Sequence, residues 1–243
     1  MGGRPPKYPF GVASLELDVD DTSLKVDSRG GDFVSLGSRS FDAIRYLVTR
    51  LTSAEPLPTI VAVSAPTHGE GSTFVSRAIA AVLAHDYLAD TCWIDLNWWA
   101  TDPMTSRSDE RGASVADALI GDCVVSDLPT ESSLRGLSVV QAGNLPRGSR
   151  SKAAHSELLS DIINELAARF DHVILDLPPV LTTSDAFALG QLANCYALVV
   201  RQGCSSAAQV TEAMQSMEPL ICVGSILNGV RVTRRRRRGS DRR

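Results

Sequence analysis

Residues 59–83 read TIVAVSAPTHGEGSTFVSRAIAAVL, and the fold turns on how that stretch is parsed. Ile60 to Val63 is a short apolar, mostly β-branched run of strand length. Pro66 to Gly71, PTHGEG, is turn chemistry. Beyond it Phe74, Val75, Ala78, Ile79, Val82 and Leu83 recur at helical spacing, and Ser72 or Thr73 is expected to cap that helix. A strand entering a Gly-rich turn that opens a helix is the layout of a phosphate-binding loop, in which successive backbone N–H groups face one anion. The P-loop pattern G-x-x-x-x-G-K-[ST] asks for lysine after its last glycine. Here Gly71 is followed by Ser72, and Pro66 stands at the first glycine position. The loop keeps its later glycines and its hydroxyls and lacks the cation.

Outward from this stretch the same rhythm repeats. TCWID at 91–95 and HVILD at 172–176 are buried-strand runs that each end in an acid. Asp95 and Asp176 are the expected catalytic acids, with Asp176 in the Walker B position that orients Mg²⁺. Leu137–Gln141, Cys195–Val200 and Leu220–Leu227 are further strands, the last leaving through Asn228 and Gly229. Helical spacing covers 40–51, 113–120, 156–170, 184–192 and 205–217. Arg147–Ser151 reads as a basic, Ser-rich loop, and Arg77 as a residue on the solvated side of its helix. Strands alternating with helices predict an α/β, doubly wound, mostly parallel sheet with helices on both faces, in a single domain. Sites in such sheets lie at the carboxyl ends of strands. Gly69, Gly71, Asp95, Asp176 and Asn228 all fall there.

The domain is expected over 38–230, between a mobile leader at 1–37 (with one short strand at Ala13–Val19) and an arginine-rich tail at 231–243. That tail holds eight arginines and one aspartate and contributes +7, so the rest of the chain carries −11 of the total of −4. The three lysines are Lys7, Lys25 and Lys152, none near the loop in sequence. The five cysteines form no C-x-x-C pair, which argues against a zinc site or a disulfide framework. The opening MGGRPPKYPF has no apolar signal core and no run is long enough to span a bilayer, so a cytoplasmic location is expected.

From Gly136 to Gly203 the chain carries GLSVVQAGNLP, SELLSDIINELAARFDHVILDLPPV and SDAFALGQLANCYALVVRQG in order. With GEG at 69–71, WID at 93–95 and ILNGV at 226–230, residues 40–230 resemble the cytoplasmic ATPase domain of bacterial tyrosine kinases that control capsule and exopolysaccharide assembly. These are P-loop ATPases, related to plasmid-partition and septum-site proteins. The resemblance implies ATP or ADP with Mg²⁺ as cofactors. It places Gly69, Glu70, Gly71, Ser72, Thr73 and Asn228 at the nucleotide, and Thr73, Asp95 and Asp176 at the metal. A one-residue slip would move the hydroxyl role from Thr73 to Ser72; neither register contains a lysine.

Three departures accompany the resemblance. The loop lysine is absent, Asn97 stands at the second acid of the WID motif, and the C-terminal tyrosine cluster is replaced by arginines, Tyr196 being the last tyrosine. The ring-forming motif E-x-x-R-x-x-R falls on Asp42, Arg45 and Val48 and lacks an arginine. Removing a fixed cation from a buried phosphate site costs roughly 2–5 kcal/mol, about 30- to several thousand-fold. The leading expectation is therefore a pseudokinase that acts with a membrane polysaccharide co-polymerase, peripherally at the inner membrane, as a homo-oligomer or alone. Two alternatives stay open: an active kinase whose cation arrives in trans, and a partition-type ATPase relative. Arg234–Arg238 suit an anionic membrane surface, and the lack of interleaved aromatics argues against nucleic acid.

Overall fold

The computed structural model describes residues 23–28, 31–53, 56–99 and 112–230. The expected strand at 13–19 and the tail at 231–243 lie outside the described residues.

A seven-stranded sheet organises the molecule. Its strands are β3 (Ile60–Ser64), β4 (Thr91–Asp95), β5 (Thr130–Glu131), β6 (Leu137–Val140), β7 (His172–Asp176), β8 (Cys195–Arg201) and β9 (Ile221–Asn228). They lie in the order β5-β6-β4-β7-β3-β8-β9, all parallel except β5 at the edge beside β6. β3 is central, hydrogen-bonded to β7 on one side and β8 on the other. From β3 the chain crosses first to β4 and β6, returns through β7, then continues to β8 and β9. The carboxyl ends of β3 and β7 therefore meet where the winding reverses, the place at which such sheets hold ligands.

Alternate residues of the buried strands feed two apolar layers. Val61, Val63, Trp93 and Ile174 face α2 (Ser72–Asp86) and α1 (Ser38–Ser53). Ile60, Ala62, Ile94 and Leu175 face the opposite layer. Its helices are α3 (Val115–Ile120), α4 (Arg147–Ala154), α5 (Glu157–Ala167), α6 (Asp185–Gly190) and α7 (Ala207–Ser216). Each fully buried Val, Ile or Leu contributes about 1.5–3 kcal/mol, which is why short apolar runs suffice to set the strands.

Three expectations are corrected by the structure. The segment read as leader contains a β-hairpin, β1 (Leu24–Ser28) with β2 (Gly31–Leu36), antiparallel and packed on α2. Leu24, Val26, Phe33, Val34 and Leu36 are all buried in that layer, so the ordered body begins well before residue 38. The stretch read as a basic loop at 147–151 is the start of α4, whose Ala153 and Ala154 are buried and fasten it to the sheet layer. Helix α2 is capped by Gly71 in the left-handed conformation (φ 90°), with no side-chain cap from Ser72 or Thr73. Its first-turn N–H groups are thus left without a side-chain acceptor.

Candidate functional site

Every residue proposed for the site lies at the carboxyl edge of the sheet, on the turn that leaves β3, or in the first turn of α2. Asp95 ends β4 and Asp176 ends β7, and the two are direct partners across the parallel ladder. Both are buried, at 2% and 1% exposure. The Thr73 hydroxyl, one residue into α2, donates to Asp176 Oδ2 at 2.6 Å. It is therefore Thr73 that meets the β7 acid, as the register with Ser72 in the lysine position requires. Asp95 Oδ1 accepts the Asn97 N–H at 2.8 Å. The other oxygen of Asp176, Oδ1, is buried with no hydrogen-bond partner.

Burial, and then the neighbouring Asp95, push the Asp176 carboxyl up to about 8; the Thr73 hydroxyl and the Arg77 guanidinium pull the other way. An orphaned carboxylate oxygen beside a second acid and a hydroxyl is a donor set for a hard divalent cation. Thr73, Asp95 and Asp176 thus fit Mg²⁺. Among the described residues no group of three or more His, Cys, Asp or Glu could hold a metal unaided. A cation here would need oxygens from water or a phosphate to fill its shell, as Mg²⁺ sites commonly do. Asn97, at the family's second acid, is buried with its Oδ1 also unpartnered.

The loop is held from outside. The Glu70 carboxylate, 1% exposed, accepts from the Thr67 N–H at 2.9 Å, the Thr67 hydroxyl at 2.8 Å, the Ser205 hydroxyl at 2.6 Å and the Arg201 N–H at 2.9 Å. Burial alone would raise its pKa, but these bonds outweigh it and hold the group below the usual range. The Asn228 amide donates to the Glu70 carbonyl at 2.9 Å. A Cβ on Gly71 would collide with that amide, so glycine is required there both for the positive φ and for the close approach of β9. Glu70 was placed at the nucleotide by sequence; its side chain instead splints the loop to the β8–α7 turn, leaving its backbone N–H for any ligand. Ser205 and Arg201 were missed. Their signal was position alone, since both sit just at or past the carboxyl end of a parallel strand.

Arg77 is not on a solvated face. It is 9% exposed, with its guanidinium 4.8 Å over Trp93 and 5.5 Å from the Phe33 ring centroid, and Nη1 donates to the Phe33 carbonyl at 3.4 Å. Trp93 completes the packing by donating to Ser76 Oγ at 2.9 Å. Stacking of this kind contributes about 0.5–2 kcal/mol. It holds the guanidinium against the hairpin and Trp93, from where its charge still favours the Asp176 carboxylate. Of the ring motif, Arg45 is bound to Asp86 at 2.6 Å and Val48 is fully buried, so Val48 offers nothing to a neighbour.

No protein-family model matches the chain. The tyrosine-protein kinase etk of Escherichia coli (strain K12) is 30% identical over 194 residues, covering 78% of this chain and 26% of that protein. The chain thus spans about a quarter of the length of this curated relative. Among solved structures, the kinase domain of the Escherichia coli tyrosine kinase ETK superposes with a TM-score of 0.70 at 28% identity, covering 79% of this chain and 76% of that one. The septum site-determining protein MinD of Pyrococcus horikoshii, solved with Mg-ADP, superposes with a TM-score of 0.56 at 18% identity over 70% of this chain and 69% of its own, and shares the fold.

Proposed function

From the premise that this chain's homologues are bacterial tyrosine kinases and its fold that of the P-loop ATPase superfamily, we propose that it is a pseudokinase. On this reading it serves exopolysaccharide biosynthesis or export as a kinase-like subunit docked on a membrane polysaccharide co-polymerase. It holds Mg·ADP or Mg·ATP weakly through the loop amides, Thr73, Asp95 and Asp176, and transfers no phosphoryl group. Mg²⁺, when bound, neutralises phosphate charge.

The observation that carries this is where the lysines are. Ser72 follows Gly71, Lys25 is engaged 3.1 Å from Asp32 on the hairpin, and Lys152 is on α4. Phosphoryl transfer depends on charge stabilisation, so a loop without its lysine loses rate before it loses fold. Incubation with Mg·ATP followed by mass spectrometry is expected to find no phosphotyrosine; a modified tyrosine at any site contradicts the reading.

Among the described residues no helix is long and apolar enough to cross a membrane. Attachment to the inner face is assigned to the arginines of residues 231–243, at about 1 kcal/mol per basic residue near anionic lipid. Truncation at residue 232 is expected to weaken binding to phosphatidylserine vesicles at low salt. Undiminished binding would remove the tail from the account. The acid pair and Thr73 favour a second reading, an active kinase completed by a partner's cation; a phosphotyrosine that forms only with a partner present would select it.

A further inference from the structure

We propose that Arg201 supplies, within the same chain, the cation that the Gly-rich loop lacks, and that the group it binds is the phosphate chain of a nucleoside di- or triphosphate. This rests on the nucleotide site proposed above and assigns it a residue that the P-loop pattern does not contain.

Arg201 is the last residue of β8, next to β3 in the sheet. Its position is fixed at three points. Its N–H is bound to Glu70 Oε2 at 2.9 Å. Its guanidinium Nη1 donates to the Gly69 carbonyl at 3.2 Å. Its Cγ and Nε run along Gly229, where an added Cβ would stand 3.4 Å and 3.6 Å from them. The head group therefore lies at the rim of the loop, on the carbonyl of one of the loop's own glycines, and is exposed.

Its charge is not spent inside the protein. Among the described residues Arg201 forms no ion pair, and the nearby Glu70 carboxylate takes its backbone N–H rather than its guanidinium. A guanidinium offers five donors and one is used here, so the remainder can meet a phosphate in the forked geometry arginine favours. The other arginine near the loop, Arg77 of α2, is engaged elsewhere: its guanidinium packs on the Phe33 and Trp93 rings and donates to the Phe33 carbonyl. Glu70, whose charge would repel a phosphate, is turned inward by four hydrogen bonds, and one of these holds Arg201 in place. The loop has exchanged a lysine on its own helix for an arginine delivered from the neighbouring strand and locked there by the loop's glutamate.

The test compares the whole chain with Arg201→Gln and Arg201→Lys, by calorimetric titration with Mg·ADP and with magnesium pyrophosphate. A charge-assisted bond to phosphate predicts that Arg201→Gln weakens both ligands by about 10- to 100-fold, while Arg201→Lys recovers part of the loss for both. The salt dependence of binding should also flatten in Arg201→Gln. Unchanged affinity in Arg201→Gln, a loss confined to ADP, or a lysine variant as weak as the glutamine one overturns the assignment while leaving the nucleotide site intact. Failure of the unaltered protein to bind either ligand overturns the nucleotide reading, and Arg201's role with it. Superimposable thermal melts of the three proteins show that the comparison is between folded sites.

Discussion

Asp176 is the residue at which fold and function conflict. A β-strand that ends in an acid beneath the loop must bury that acid, and here it is buried beside a second one, Asp95, with one oxygen unsatisfied. A folded-state pKa of about 8, above the value of 3.8 for an unperturbed aspartate, means that the native protein holds this proton more tightly than the unfolded chain does. The stability this contributes is fully present below about pH 4 and is lost as pH rises through about 8. In metal-free buffer the melting temperature of the unaltered protein is therefore expected to fall between pH 5 and pH 8 relative to that of Asp176→Asn, which keeps the shape without the charge. Mg²⁺ should recover the loss at the alkaline end. Parallel pH profiles for the two proteins would show that the acid pair carries no such strain. The sequence made both acids visible because each closes an apolar run. It could not show that they face each other, since strands 81 residues apart become neighbours only through the order of the sheet.

At the scale of elements, what was legible is what local pattern decides. β3, β4 and β7 were read from short apolar runs, and α5 from the spacing of Leu158, Leu159, Ile162, Ile163, Leu166 and Ala167, of which Leu159, Ile162, Ile163 and Leu166 are buried and Leu158 is exposed. The misreadings fall where distant partners decide. The hairpin sits in a Gly-, Ser- and Asp-rich stretch whose apolar residues become a layer only by packing on α2. Arg77 looks solvated on a helical wheel, which knows nothing of Phe33, 44 residues away. Helix α4 is poor in apolar residues; two buried alanines hold it. The loop was found because its glycines are local, whereas the splint around it draws on β8, the β8–α7 turn and β9. The sequence placed Glu70 in the loop but could not show that its side chain fastens the loop to β8 and Ser205.

For the molecule as a whole, the parallel winding brings the carboxyl ends of the six parallel strands to one edge and puts the loop, both acids, Arg201 and Asn228 there together. Net charge is divided along the chain, with −11 on the body of the chain and +7 on residues 231–243. On the proposed reading, this division suits attraction of the basic tail to an anionic surface. The central claim is that the site has kept ligand binding and lost phosphoryl transfer. Titration of Mg·ADP into the intact chain and into Asp176→Ala tests it most directly. The account predicts saturable binding, weaker than about micromolar, that disappears in the variant. No heat from the intact chain up to about millimolar nucleotide, or equal binding by both proteins, would contradict it.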